Sequence, residues 1–314
     1  MNHSYLKQHT IAREVWCSGI GLHSGLKVSM KLKPAAAGEG IRFRRMDVCN
    51  FPVIPAHYQY VVNTFQATSI GFDGVVVSTI EHLMAAFYGS GIDNVLVEVN
   101  GPEVPIFDGS SQPYLKLIER AGLMEQDVPR RYLAIRKPAT IREGDSYIKA
   151  RPSDQFRVRY LIDFPHPMVG RQELSWSGEN GCFGTDIAMA RTFGFLKDVR
   201  KLQTMGLVQG GSLANAVVFD EHALLNVDGF RYADECVRHK ILDFMGDLAL
   251  TGMSILGDFE VHKAGHSLHS RFMQTIMGRP GYVSHGHNTP LPYVAASAVS
   301  ALAGRLPQQA NALS

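Results

Sequence analysis

The stretch DECVRHKILDFMGD, residues 234–247, sets a histidine at 239 and aspartates at 243 and 247, each four residues from the last. Residues four apart on a helix stand one above another on the same face. His239, Asp243 and Asp247 therefore form a polar column among Val237, Ile241, Leu242 and Phe244. Burying such a column is costly unless something pairs with it, and a metal ion would pair with it. The competing reading of His239 and Asp243 is an i,i+4 surface ion pair; the apolar neighbours argue against it. A second stretch, STIEHLMAAF, carries Glu81 and His82 side by side. Ser78 with Glu81 three residues later fits a capping box, which would make Glu81 purely structural. Adjacent helical residues point about 100° apart. If His82 holds a metal, Glu81 cannot stand beneath it but can reach a water on that metal and take its proton.

His82, His239 and Asp243 together offer two imidazoles and one carboxylate from two helices. Three such protein ligands suit catalytic zinc, whose fourth position stays open. Iron(II) can use the same donors. A non-enzymatic protein with a structural zinc would need a fourth ligand, and none lies near His82 or His239 in the sequence. Asp247, one turn further, can accept from and orient a histidine. In EVHKAGHSLHS the histidines at 262, 266 and 269 mimic ligand spacing, but Gly265 interrupts them. His266 reads better as a proton donor on a loop after a strand, and His262 and His269 as structural or exposed. No GxSxG, GxxxxGK[ST], HExxH or helix-opening GxGxxG occurs. VQGGSLANA is glycine-rich but lacks the lysine of a phosphate loop.

The elements that must position these groups alternate in kind along the chain. Thr10 to Cys17 and Leu26 to Leu32 read as strands flanking the turn GIGLHSG, and IRFRR as another; LKVSMKL alternates at period two. STIEHLMAAF reads as a helix ending near Gly89–Gly91, followed by the strand DNVLVEV, the loop PEVPIFDGSSQ and the helix PYLKLIERAGL closing at Gly122. EQDVPRR is the best linker. YLAIRK, YIKARP and FRVRYLIDF read as strands, DIAMARTFGF and KDVRKLQTMGL as partly helical, NAVVFD as a strand, ECVRHKILDFMGDLAL as a helix, GDFEVHKAG as strand and loop, and SLHSRFMQTIMG as a last helix. IEHLMAAFYGSGIDNVLVEVNG faintly echoes VRHKILDFMGDLALTGMSILGDFEVHKAG: helix, glycine turn, strand. The expectation is an α+β fold of two similar domains, 1–126 and 127–281, with a loosely held tail at 282–314.

Composition narrows the classes. The 314 residues are 45% hydrophobic and 19% charged with a net charge of +2, which is globular and too weakly basic for nucleic acid or a polybasic membrane anchor. Arg42–Arg45 and Arg130–Arg131 read as solvated edges. The four cysteines, Cys17, Cys49, Cys182 and Cys236, form no CxxC pair, so a reducing, cytoplasmic setting is expected. The N-terminus lacks an apolar signal segment, and no run of about 20 apolar residues suggests a membrane span.

GIGLHSG, STIEHLMAA, GIDNVLVEVNGPEVPIFDGS, ARTFGF, GGSLANAVV, DGFRYADECVRHKILDFMGDL and KAGHSLH, taken in order from about residue 8 to 275, resemble the UDP-3-O-acyl-N-acetylglucosamine deacetylases, zinc amidases of lipid A synthesis. The resemblance implies two α+β domains, each a sheet packed on helices, with the helices sandwiched between. It implies zinc on His82, His239 and Asp243, Glu81 as general base, His266 as general acid and Thr192 as oxyanion donor, with Asp247 supporting His266 or the ligands. Lys240 and Lys263 would face a nucleotide-sugar glycolipid precursor and its diphosphate, and His23 would lie near it. The segment after Phe193 would form an apolar passage for the acyl chain, lined by Phe193, Phe195, Leu196 and Leu207. Ala67 stands where some members carry a cysteine, His262 lies outside the pattern, and the tail beyond about 281 is unmatched.

Overall fold

The structure is a computed structural model and describes residues 7–287. Six helices accompany several sheets: α1 Glu81–Ser90, α2 Gln112–Ala121, α3 Phe183–Asp186, α4 Leu196–Thr204, α5 Glu235–Leu248 and α6 His266–Gly278. This is the expected α+β class.

One sheet orders its five strands Val15–Ile20, Lys27–Pro34, Val95–Val99, Ile41–Arg45 and Val53–Pro55. Lys27–Pro34 shows why it is a strand: Val28, Met30 and Leu32 are buried while Lys27, Ser29 and Lys31 are exposed, the period-two pattern of a half-buried sheet. The larger sheet has seven strands, with Ser254–His262 at its centre. That strand pairs antiparallel with Ser146–Arg151 and parallel with both Arg131–Ile135 and Phe156–Phe164.

The sequence of α1 is apolar around most of its circumference, which suits a helix enclosed on all sides, and α5 buries most of its residues, its polar column included. Only Tyr88 of α1 escapes full burial. The two helices pack directly on each other. Gly246 permits this: a Cβ there would strike the carbonyl oxygen of Glu81, at the first turn of α1. Gly89 likewise leaves room for the Phe183 ring. The echo between the halves has a structural counterpart. α1 ends on the left-handed Gly91 and leads to Val95–Val99, and the turn after α5 ends on the left-handed Gly252 and leads to Ser254–His262.

Four expectations are corrected. The linker near 125–131 is strand: Leu123–Pro129 pairs antiparallel with Lys7–Ile11, and Arg131–Ile135 follows at once. Its backbone donors and acceptors are taken up by ladders, which polar composition alone does not reveal. The tail is not loose at its start, because Val283–His287 pairs antiparallel with Arg131–Ile135; residues 288–314 lie outside the described residues. The capping box is absent. Ile80 occupies the cap position of α1 without a side-chain bond, and the Ser78 hydroxyl pairs with Ser69. Within DIAMARTFGF the helix reaches only the first residue, Asp186, where α3 ends, and Phe193–Phe195 is a strand paired with Val217–Phe219. No helix among the described residues is long and apolar enough to cross a membrane.

Gly246→Ala should cost about 1–3 kcal/mol by overpacking. It should also lower any activity that depends on Glu81, because the α1 backbone must retreat. A urea midpoint and an activity assay on the same variant check both effects.

Candidate active site

The packing of α1 on α5 brings the first turn of one against the middle of the other. His82, His239 and Asp243 are each at most 3% exposed, and one ligand atom from each lies within 4.8 Å of the others. The His239 Nδ1–H donates to the Ala190 carbonyl (3.1 Å), so Nε2 is turned to Asp243 Oδ1 at 3.2 Å. His82 Nε2 lies 3.7 Å from the same oxygen. The two imidazoles meet edge to face.

Two buried atoms of this trio, His82 Nδ1 and Asp243 Oδ1, have no hydrogen-bond partner among the described residues. Burial pushes the His239 pKa down to about 3, so this ring is neutral with a lone pair to give. Burial opposes the charge on Asp243, but its neighbours, with the Lys240 ammonium 2.8 Å from Oδ2, outweigh it and hold the carboxyl well below the usual carboxylate range. A neutral His239 lone pair beside a buried anionic oxygen without a hydrogen-bond partner calls for a cation. The donor set of two nitrogens and one oxygen fits a catalytic divalent centre.

A second group, Asp247, His266 and His269, is equally close-set but has another explanation. The Nδ1–H of His266 and that of His269 each donate to Asp247 Oδ2 at 2.7 Å, and the Thr68 hydroxyl donates to Oδ1 at 2.6 Å. Donors and acceptors balance there, and no cation is required. Burial alone would lower the His266 pKa, but Asp247 and then Glu81 raise it to about 9. His269, fully buried beside Tyr160, stays below the ordinary histidine value because burial dominates.

Glu81 sits between the two groups. Its Oε2 accepts from the Thr68 N–H at 3.0 Å, and its Oε1 lies 3.9 Å from His266 Nε2. Burial raises its pKa. Glu81, His82, Thr192, His239, Asp243 and His266 all line one cavity of about 450 Å³. Thr192 is held by its own backbone: its N–H donates to Gly109 and its carbonyl accepts from Val217, both at 2.8 Å.

Some expected residues are placed differently. Lys240 reaches the cavity wall but donates to Asp243 Oδ2 at 2.8 Å and sits over the Phe193 ring. Lys263 also lines the cavity, paired with Asp163 at 2.8 Å. The turn bearing His23 is shaped by buried Glu103, which accepts from the N–H groups of His23 and Ser24. Phe193 lines the cavity. Phe195, expected beside it, packs instead against Phe164, His166 and Phe219. His266 opens α6 rather than standing on a loop. His262 stacks on Tyr147 and His269 is buried on Asp247.

Sequence reading missed the groups that hold these side chains. Thr68 gives no local sign of its task. Arg191 and Glu235 form a bidentate pair at 2.8 and 3.0 Å. Glu235 also accepts from the Arg191 N–H at 3.0 Å. This clamp fixes the segment whose Ala190 carbonyl orients His239 and whose next residue but one is Thr192. The signal was available in part, since Glu235 lies one helical turn before His239.

The class defined by this geometry is that of metal-assisted hydrolases: a buried N,N,O donor set beside a carboxylate and a histidine in one cavity. Residues 8–278 match the family model described as UDP-3-O-acyl N-acetylglycosamine deacetylase. Proteins named UDP-3-O-acyl-N-acetylglucosamine deacetylase are similar over most of their length. One from Myxococcus xanthus is 46% identical over 280 residues, 89% of each chain. One from Anaeromyxobacter sp. is 44% identical over 278 residues, covering 88% of this chain and 91% of the relative. One from Pseudoalteromonas atlantica is 41% identical over 302 residues, covering 94% and 99%. The chain belongs to the UDP-3-O-acyl N-acetylglycosamine deacetylase family.

Glu235→Ala should leave the Arg191 guanidinium buried and unpaired, at a cost of about 3–5 kcal/mol. Denaturant unfolding in the presence of a chelator, which removes any contribution from bound metal, measures it.

Proposed function

We propose that this chain removes the N-acetyl group of UDP-3-O-acyl-N-acetylglucosamine, releasing acetate and the free amino sugar, the committed step of lipid A biosynthesis. The observation that carries the reading is one cavity lined by His82, His239 and Asp243, two of whose buried atoms lack a hydrogen-bond partner among the described residues, with Glu81 and His266 beside them. The cation is zinc in this reading, with iron(II) able to use the same donors. Zinc held by those three residues supplies the Lewis acidity that brings the pKa of water to about 7.

The chain's own groups do the rest. Glu81 takes a proton from the attacking water through Oε1, while Thr68 holds Oε2; burial raises its pKa toward the working range of a general base. The Thr192 hydroxyl donates to the developing oxyanion, a contribution of about 3–4 kcal/mol for a well-placed donor. His266 protonates the departing amine. Asp247 fixes the ring through Nδ1, leaving Nε2 toward Glu81, and stabilises the imidazolium. Lys240, Lys263 and His23 serve the nucleotide sugar, with Lys240 also neutralising Asp243, and the segment after Phe193 receives the acyl chain. The division at 126/127 and a cytoplasmic setting, with neither nucleic-acid binding nor stable membrane insertion, belong to the same reading.

Acetate release from UDP-3-O-acyl-N-acetylglucosamine tests it. Chelation should abolish release and zinc restore it; release that survives full chelation would overturn the metal assignment. Glu81→Ala should keep its metal, because Glu81 is not a ligand, and lose activity on the order of 100-fold or more. His266 must carry its proton to act. Its pKa is raised to about 9, so the acid is in its working form below that pH and kcat/KM should fall as pH rises through it. His266→Ala should remove that basic limb with metal content intact; an unchanged profile would place the acid elsewhere.

A further inference from the structure

Building on that reading, we propose that Thr68 is a positioning residue that locks Glu81 and Asp247 into one geometry and thereby aims His266. Thr68 is 2% exposed and stands just before the strand Ser69–Phe72. It is bonded on every polar atom. Its N–H donates to Glu81 Oε2 at 3.0 Å, its carbonyl accepts from the Ile80 N–H at 3.3 Å, and its hydroxyl donates to Asp247 Oδ1 at 2.6 Å. The last bond joins residues 179 apart in sequence. It is a short hydroxyl–carboxylate bond, the charge-assisted kind that holds its geometry.

The arithmetic of Asp247 shows what the hydroxyl does. Oδ2 already takes two Nδ1–H donors from α6, those of His266 and His269. Both pull on the same oxygen, so they alone leave the carboxylate free to swing about it. The Thr68 hydroxyl on Oδ1 fixes the plane from the opposite element. The same residue's backbone fixes the orientation of Glu81, whose Oε1 faces His266 Nε2 at 3.9 Å. One residue, through its backbone on one side and its hydroxyl on the other, thus sets base and acid relative to each other across the α1–α5 contact. A β-branched side chain, stiff at χ1, is suited to this. Valine has the same shape without the hydroxyl, and serine the hydroxyl without the methyl.

The test is a double-mutant cycle on the full-length, metal-loaded chain. Thr68→Val should lower kcat by at least about tenfold with KM little changed, as expected when a reacting group is misaimed. Thr68→Ser should recover most of the loss. In a His266→Ala background Thr68→Val should cost less than about twofold, because its effect passes through His266. Metal content and thermal midpoint are measured for each variant, and rates are compared well below the lowest midpoint. Multiplicative losses in the double variant would overturn the positioning role. So would a serine variant as impaired as the valine one, because packing of the methyl would then be what matters, and this comparison holds even if Thr68→Val folds poorly. Absence of acetate release from the unaltered chain would instead remove the proposed function itself, and the Thr68 proposal with it.

Discussion

An anionic oxygen buried beside two imidazoles is the constraint on which the rest of the molecule depends. His82, His239 and Asp243 are buried at the wall of the cavity, and among the described residues nothing offers a hydrogen-bond partner to His82 Nδ1 or Asp243 Oδ1. Such an arrangement is unfavourable alone and becomes favourable when a cation enters. The scaffold must therefore hold three donors together against their own preference to separate. It does so with two helices enclosed by two sheets, a glycine at their closest approach, and a carbonyl at Ala190 that fixes one ring.

The site divides into two histidine–carboxylate systems that burial treats alike and partners treat differently. His239 faces Asp243 through a nitrogen that carries no proton, and its pKa falls to about 3. His266 faces Asp247 through a nitrogen that does, and its pKa rises to about 9. One imidazole is thereby prepared to give a lone pair and the other to give a proton. Glu81 stands at the boundary, its oxygens divided between Thr68 on one side and the open cavity on the other. The division follows from hydrogen bonds made outside the cavity, to Ala190, Thr68 and His269.

What could be read in advance was what repeats locally. The column at 239, 243 and 247 and the pair at 81–82 are helical patterns, and the helices are where the spacing put them. The α+β class followed from strands and helices whose periodicities are equally local. What stayed hidden depends on distant partners. Nothing in TFQATSI says that its second threonine, Thr68, will meet an aspartate 179 residues away. Arg191 and Glu235 lie in separate motifs, and their pairing exists only after folding. The polar run near 125–131 looks like a linker because its hydrogen bonds are made to strands far along the chain. The capping signature at Ser78 and Glu81 failed because the Glu81 carboxylate is turned to Thr68 and the cavity while the Ser78 hydroxyl pairs with Ser69.

Anomalous scattering at the zinc edge, from crystals of the zinc-loaded chain, tests the central claim most directly. The account predicts one buried peak coordinated by nitrogen from His82 and His239 and oxygen from Asp243, with metal–nitrogen distances of about 2.0–2.1 Å. A peak centred instead on Asp247, His266 and His269, or a catalytically active crystal with no peak between α1 and α5, would contradict it.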